Sequence, residues 1–168
     1  IKTCSFFCYL LLLELLRWDL LRPATTDELL SEAWTFFDQR KPEPAVRCLT
    51  RAHQRDPSST RVLELLVHCH EALEERRLAA EALLKLGNLR FLAGEAGEAV
   101  NALEKACRYA PNSAQSRILL SQIYAEMGDR KAAAERAAQA AEILAQSQQW
   151  EAGIKICRDA LRDSPDDV

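Results

Sequence analysis

The residues best suited to chemistry are a histidine–cysteine–histidine string at positions 68–70 and two cysteines near the N-terminus. Imidazoles and thiolates are the ligands that zinc prefers. On a helix, His68 and His70 point about 200° apart, whereas zinc-binding helices place two histidines four residues apart. Cys4 and Cys8 do share a helix face, but no Cys-x-x-Cys pair follows to complete a site. We therefore expect no metal or cofactor, and predict that Cys69 faces the core while both histidines flank it.

Catalytic signatures are missing from the sequence. It holds three histidines and has no G-x-S-x-G motif, no phosphate-binding glycine loop and no H-E-x-x-H motif. Glu74, Glu75, Glu95 and Glu98 stand beside basic residues near predicted helix ends, a pattern typical of solvated caps and ion pairs. The sequence therefore predicts a protein without enzymatic activity.

A row of arginines is a candidate binding feature. Arg47, Arg51 and Arg55 recur every four residues and so share one helix stripe, which continues to Arg61. The stripe suits either a solvated helix face or a docking strip for an acidic peptide or a membrane phosphate. Nucleic acid is not expected as a partner, because no aromatic residues interleave with these arginines and the net charge is −3.

The N-terminal segment is the most apolar part of the chain. Its longest charge-free run, residues 3–13, is shorter than the roughly 20 apolar residues of a membrane span. It also lacks the Ala-x-Ala site of a signal peptide. We predict a helix over residues 5–21 that is buried or covered by a partner, with a membrane-surface anchor as the alternative. Because its apolar side chains cover more than one stripe, Phe7, Leu10 and Trp18 are expected to contact a partner.

Composition indicates the kind of protein that carries these features. The chain has 168 residues, of which 48% are hydrophobic and 28% charged, the balance of a globular protein of one domain. Leu, Ala, Glu and Arg are abundant, and all favour helices. Six cysteines are present, but a chain of this length needs no disulfide framework. We expect free thiols in the cytoplasm, with Cys48, Cys69, Cys107 and Cys157 buried one per helix among apolar neighbours.

Internal repetition organises the chain. Pro57, Pro111 and Pro165 recur with a 54-residue period, and the same period relates two rows of small residues. These rows are Ala45, Ala99 and Gly153, and Ala52, Ala106 and Ala160. The register predicts a single domain of three units, at about 4–57, 58–111 and 112–165. We expect the six small residues to be buried where helices approach closely.

Each unit contains three stretches with helical periodicity, separated by Pro, Gly and Ser breakers. The predicted helices span about 5–21, 26–39, 42–55, 60–74, 76–93, 96–109, 114–127, 130–147 and 150–163. Ser59 and Ser113 precede two of them as expected N-caps. No stretch suits a strand, so the fold is predicted to be all-α, with about nine antiparallel helices joined by short turns.

The residues at the joints resemble those of a known family. The longest matching set is Leu83, Leu86, Gly87, Gly94, Ala96, Ala99, Leu103, Ala106 and Pro111. In this spacing they resemble a tetratricopeptide repeat (TPR). A second set is similar: Leu120, Tyr124, Gly128, Ala133, Ala137 and Ala140. Residues 26–57 match loosely, and residues 150–165 match the second half of another repeat.

The resemblance implies a TPR-like α-solenoid with an unusual period. The family repeats about every 34 residues with two helices. This chain has a 54-residue period with three helices in each unit. We therefore interpret the helices at 76–93 and 130–147 as serving two neighbouring repeats each.

The resemblance also bears on function. Some TPR proteins bind the C-terminal carboxylate of chaperones through Lys and Asn on successive first helices. Lys85 and Asn88 lie on one such helix, but the later equivalents are Leu119 and Gln122, so the clamp is incomplete and this partner is not carried over. The predicted function is a cytoplasmic protein-interaction scaffold for a peptide, helix or subunit. The alternative is a structural or assembly subunit. Such a subunit forms a homo-oligomer, or docks through its apolar first helix on a larger complex, with a location at the periphery of a membrane complex as the alternative to the cytoplasm.

Overall fold

The computed structural model describes residues 24–162, with side chains through residue 160. The described residues form eight α-helices joined by turns of three or four residues, and they contain no strand. The helices are α1 (Thr26–Asp38), α2 (Pro42–Arg55), α3 (Thr60–Ala72), α4 (Arg76–Leu92), α5 (Ala96–Tyr109), α6 (Ala114–Glu126), α7 (Arg130–Gln146) and α8 (Trp150–Arg162). They match eight of the nine predicted helices. The ninth, predicted over residues 5–21, lies outside the described residues.

Five helices end in one recurring way. A residue in the left-handed region follows each of α1, α3, α4, α6 and α7. These residues are Arg40, Glu74, Gly94, Gly128 and Gln148, with φ between 57° and 82°. The next amide then donates to the carbonyl five residues back at 2.8–3.0 Å, which is the Schellman arrangement. Arg40, Gly94 and Gln148 recur with the 54-residue period, as do Glu74 and Gly128, so the sequence period also governs the backbone.

Prolines end two of the remaining helices. Asp56 and Ala110 lie after α2 and α5, with φ of −132° and −128°. These extended conformations are the ones favoured by a residue that precedes proline, here Pro57 and Pro111. The ends of α2 and α5 therefore follow directly from residue type.

Helix starts agree less closely with the sequence prediction. Ser59 and Ser113 do occupy N-cap positions, but neither side chain makes a capping hydrogen bond. The side-chain caps are found elsewhere. Thr25 forms a reciprocal capping box with Glu28 at the start of α1, and Asp129 caps α7.

Each helix packs on the next one along the chain, which produces an all-α solenoid. In addition, α1 contacts α3, and α4 contacts α6. The second contact lies one repeat after the first. One core cluster joins α1 to α5, and a second joins α5 and α6 to partly buried residues of α4. The division into three units stays a prediction, and these recurring contacts fit it.

Small residues lie at the close helix contacts, as the repeat register predicts. Ala45, Ala52, Ala99 and Ala106 are fully buried. Gly153 is buried as well. The prediction is wrong for Ala160, which is only half-buried. Its helix, α8, is the last described helix, and no described helix covers its outer side.

The cysteines depart from the sequence prediction in the same place. Cys48 and Cys69 are buried, Cys107 is half-buried, and all four described cysteines are free thiols. Burial raises the pKa of Cys69 to about 11. Cys157 on α8 is exposed, so the prediction that it is a buried core residue is wrong.

Candidate protein-binding groove

A groove of about 920 Å³ lies between α6 and α8. Both helices pack on α7, and they make no substantial contact with each other, so the space between them stays open. Apolar side chains line much of it: Ile118 and Ala125 from α6, Leu144 from α7, and Ala152 and Ile156 from α8. We call this surface the C-terminal groove.

Polar side chains surround the apolar lining. They are Gln115, Gln122, Glu126, Arg130, Lys155 and Asp159. Two acidic and two basic groups give this rim no net charge. None of these four charged side chains forms an ion pair with another described residue. The rim therefore offers hydrogen-bonding groups to a ligand without favouring a strongly charged one.

The corresponding surface one unit earlier lies between α3 and α5, and ion pairs cross it. Arg90 of α4 stands at the centre of the first set. Its Nη2 lies 2.6 Å from Glu64 Oε1 of α3, and its Nη1 lies 3.3 Å from Glu98 Oε2 of α5. One guanidinium therefore links three helices.

A second set of bonds joins α3 directly to α5. Lys105 Nζ lies 2.6 Å from Glu71 Oε1, and the Tyr109 hydroxyl donates to the same oxygen at 2.9 Å. Burial acts to raise the pKa of the Glu71 carboxyl, but the bonds from Lys105 and Tyr109 outweigh it and leave that pKa lowered. The hydrogen bond to Glu71 raises the pKa of Tyr109 in turn. Glu71 is therefore held in its ionised form.

The C-terminal groove lacks these bridges because its residues differ at the same register positions. One 54-residue period later, Glu64 is replaced by Ile118, Arg90 by Leu144, Glu98 by Ala152, Glu71 by Ala125 and Lys105 by Asp159. All five of the later residues line the groove. The same slot is thus bridged by charges in one unit and is open and largely apolar in the next.

The arginine stripe lies on a different part of the molecule. Arg47, Arg51 and Arg55 are all exposed on α2, and Arg61 is exposed at the start of α3. None of the three α2 arginines has an ion-pair partner within the described part of the chain. The stripe is therefore open to solvent, and it contributes no residue to the C-terminal groove.

Lys85 and Asn88 lie on α4 with exposed side chains, and neither lines the C-terminal groove. Lys85 Nζ lies 3.5 Å from His53 Nε2. Burial, together with the charge of Lys85, lowers the pKa of His53. Of the two later register equivalents, Gln122 lies on the groove rim and Leu119 packs against the second core cluster. Of this set of four, only Gln122 lines the groove.

The histidine–cysteine–histidine string is split by the helix, as its spacing predicts. Cys69 is fully buried and His68 is exposed. His70 is buried rather than flanking, and its Nδ1 lies 2.7 Å from Glu75 Oε2. The described residues include no group of three or more His, Cys, Asp and Glu side chains placed to hold a metal.

Phe7, Leu10 and Trp18 lie outside the described residues, as do Cys4 and Cys8. The described helices include none that is long and apolar enough to cross a membrane.

The C-terminal groove itself was not identified from the sequence. The signal was present in the 54-residue register, where charged positions of one unit become apolar in the next.

Comparison with known proteins gives one family match and several structural similarities. Residues 81–113, which cover part of α4, all of α5 and the following turn, match the model for the tetratricopeptide repeat. Curated protein sequences give no match. Two crystal structures, of MamA protein and of TTC0263, a thermophilic TPR protein in Thermus thermophilus, are each 18% identical to this chain.

These similarities cover most of each chain, but their TM-scores are low. The MamA comparison covers 84% of this chain and 93% of that one with a TM-score of 0.37. The TTC0263 comparison covers 85% and 93% with a TM-score of 0.35. YrrB, described as a TPR protein with an unusual peptide-binding site, is 15% identical, with coverage of 83% and 87% and a TM-score of 0.32. With its own helical repeats and the match over residues 81–113, the chain is a TPR-like helical-repeat protein.

Proposed function

We propose that this chain is a non-enzymatic protein-interaction scaffold, and that it binds a short apolar segment of a partner protein in the C-terminal groove. One observation carries the proposal. The slot that ion pairs cross between α3 and α5 is unbridged and apolar between α6 and α8. An open apolar groove with a polar rim is the usual form of a site for a helix or peptide.

The lining and the rim together indicate the class of partner. Ile118, Leu144 and Ile156 favour apolar side chains, because burying such a side chain stabilises a complex by about 1.5–3 kcal/mol. The rim amides Gln115 and Gln122 can bond to the backbone or polar side chains of the same segment. Because the rim has no net charge, a polyanion such as nucleic acid gains nothing there.

The arginine stripe supplies a second, independent candidate surface. Its three arginines on one helix face would attract an acidic peptide. The C-terminal groove is preferred because a groove excludes water from the ligand, whereas charge pairs on an open helix face contribute about 0–1 kcal/mol each. A cytoplasmic location fits the free thiols, and a place at the periphery of a membrane complex is the alternative.

The proposal is tested by selecting ligands without assuming one. A displayed library of random peptides is panned on the chain of residues 1–168, and selected peptides are labelled and titrated by fluorescence anisotropy. The groove variant is Ala152→Glu, which places a carboxylate in the apolar lining at an exposed position. The matched control is Ala134→Glu, an exposed alanine on α7 outside the groove.

We expect peptides with several apolar side chains, whose Kd rises about tenfold or more in Ala152→Glu and is unchanged in Ala134→Glu. A sharper variant combines Ile118→Glu, Leu144→Arg and Ala152→Glu, which introduces the equivalents of Glu64, Arg90 and Glu98 into the groove. We expect this restored-charge variant to form ion pairs across the groove and to abolish peptide binding. Acidic peptides that lose affinity in Arg51→Glu would instead place the site on the arginine stripe. Failure to select any peptide, or equal affinity for the parent and Ala152→Glu, would overturn the groove proposal.

A further inference from the structure

An apolar depression lies on the outer side of α7 and α8, apart from the C-terminal groove. Its lining is almost entirely apolar: Ala141, Ala145, Trp150, Gly153, Ile154 and Cys157, with Arg158 at one edge. Trp150 and Ile154 are 59% and 58% exposed. We call this surface the end face. Large apolar side chains this exposed on neighbouring turns of one helix mark an association site.

The repeat register identifies what normally covers this face. In the preceding unit the corresponding positions are Ala99, Val100 and Leu103 of α5, which pack in one cluster with Leu120 and Ile123 of α6. Leu103 is fully buried there, whereas its equivalent Cys157 is exposed. The end face therefore corresponds to the surface of α5 on which α6 packs.

The first unit repeats the arrangement. Ala45, Val46 and Leu49 of α2 hold the same register positions, and α3 packs against α2. Leu49 is fully buried. Three such faces thus occur in the described part of the chain, on α2, α5 and α8, and described helices cover the first two.

The sequence also contains three segments in the register of the covering helix. Two of them are α3 and α6, and each already covers its own face. The third is residues 5–21. The covering positions are Leu65, Leu66, Cys69 and His70 in α3, and Leu119, Leu120, Ile123 and Tyr124 in α6. In the third segment the same positions are Leu11, Leu12, Leu15 and Leu16.

We propose that the end face of one molecule is covered by residues 5–21 of a second copy, so that the chain assembles head to tail. The pairing has to be between copies, because residues 22–25 link the segment to α1 and span at most about 14 Å. Among the described helices α1 makes its substantial contacts with α2 and α3, at the opposite end of the array from α8. The two joined surfaces are unlike and lie at opposite ends of the array, so each added copy leaves one surface of each kind free and the assembly grows with concentration.

The first experiment measures the mass of the chain of residues 1–168 by sedimentation velocity under reducing conditions, over about 1–300 µM. We expect the average mass to rise above 18.9 kDa with concentration. Ile154→Glu and, independently, Trp150→Glu should return it to 18.9 kDa, with circular dichroism showing unchanged helix content. Ala152→Glu, on the same helix but in the C-terminal groove, is the matched control and should still assemble.

A complementation experiment tests the polarity of the contact. Leu12→Glu with Leu15→Glu disables the segment and leaves the end face intact, while Ile154→Glu does the reverse. Each variant alone should be monomeric, and an equal mixture should form a complex of two chains and nothing larger. Leu11→Glu replaces the double variant if the latter loses helix content.

Three outcomes would overturn the inference. They are a parent chain that stays monomeric over the whole range, assembly that survives in both end-face variants, and a mixture in which no two-chain complex forms. Because Ala152→Glu affects only the groove, loss of peptide binding and loss of assembly are distinguished by different variants.

Discussion

Replacing Gly87 by alanine tests a close contact between two helices. Gly87 lies in α4, where it faces α5, and an added Cβ would stand 2.7 Å from Leu103 Cγ and 2.9 Å from Leu103 Cδ2. Carbon atoms in good contact are about 3.5–4.0 Å apart, so a shift of roughly 1 Å is needed. Leu103 has no exposed surface, and its neighbours Ala99, Leu120 and Ile123 are fully buried too. The side chain therefore has nowhere to move without disturbing the core.

Two effects of opposite sign decide the magnitude. Alanine favours a helix interior over glycine by about 1 kcal/mol. Overpacking a dense core costs about 1–3 kcal/mol. The net expectation is a loss of up to about 2 kcal/mol in the free energy of unfolding. The matched control is Gly97→Ala in α5, where no heavy atom lies within 4 Å of the new Cβ, so this variant keeps the gain in helix propensity and should be slightly stabilised.

Urea denaturation followed by circular dichroism measures both variants against the parent. Gly97 is the second residue of α5, so its gain in helix propensity is at most that of Gly87, and the difference in stability between the two variants gives a lower limit for the overpacking of about 1–3 kcal/mol. If Gly87→Ala proves as stable as Gly97→Ala, then α4 and α5 do not approach as closely as described and the TPR-like register of this pair is wrong.

Three further predictions follow from burial and charge. Ala99→Leu should lower the free energy of unfolding by about 1–3 kcal/mol, because Ala99 is fully buried between helices; a melting temperature equal to the parent's would refute the repeat register. Because the pKa of Glu71 in the folded chain is lower than its ordinary value of 4.5, the ionised carboxylate stabilises the fold at pH values above 4.5. This contribution is lost as the pH falls through the folded-state pKa. Stability should therefore drop below about pH 4.5, and drop less in Glu71→Gln, when urea midpoints are compared across pH. Peptide mapping after brief iodoacetamide treatment of dilute chain should find Cys157 modified well before Cys69, whose thiol is buried with a pKa of about 11; equal rates would contradict the described burial.

Helix positions were predictable because local residue types determine them. Pro57 and Pro111 force the preceding residue out of the helical region, and Gly94 and Gly128 adopt positive φ without a steric cost. The predicted ends were one or two residues too long at several helices. Glu74 is the clearest case, since nothing in its type predicts a φ of 58°. There the Glu75 amide donates to the His70 carbonyl at 2.9 Å, which is the backbone bond that accompanies the left-handed residue.

The candidate site was harder to predict because a groove depends on helices that are distant in the sequence. Arg47, Arg51 and Arg55 share a stripe through spacing alone, and the helix forms where it was expected. Ile118 and Ile156 each occupy a position in their own helix that the apolar pattern makes typical of a core residue. In the structure they instead line the open groove between α6 and α8. Only comparison of equivalent positions, such as Arg90 with Leu144, distinguishes a bridged slot from an open one.

The repeat therefore carries two kinds of information. Positions that stay alike in every unit, such as Ala45, Ala99 and Gly153, specify where helices meet, because only small residues allow the approach. Positions that change carry the candidate function. With Glu64 and Arg90, an ion pair connects α3 to α4 across the slot. With Ile118 and Leu144 at the equivalent positions, the slot is open and can hold a ligand. Since equivalent backbones surround both slots, changing those few side chains should open or close a site without changing the fold, and this makes the restored-charge variant the most direct test of where the chain binds its partner.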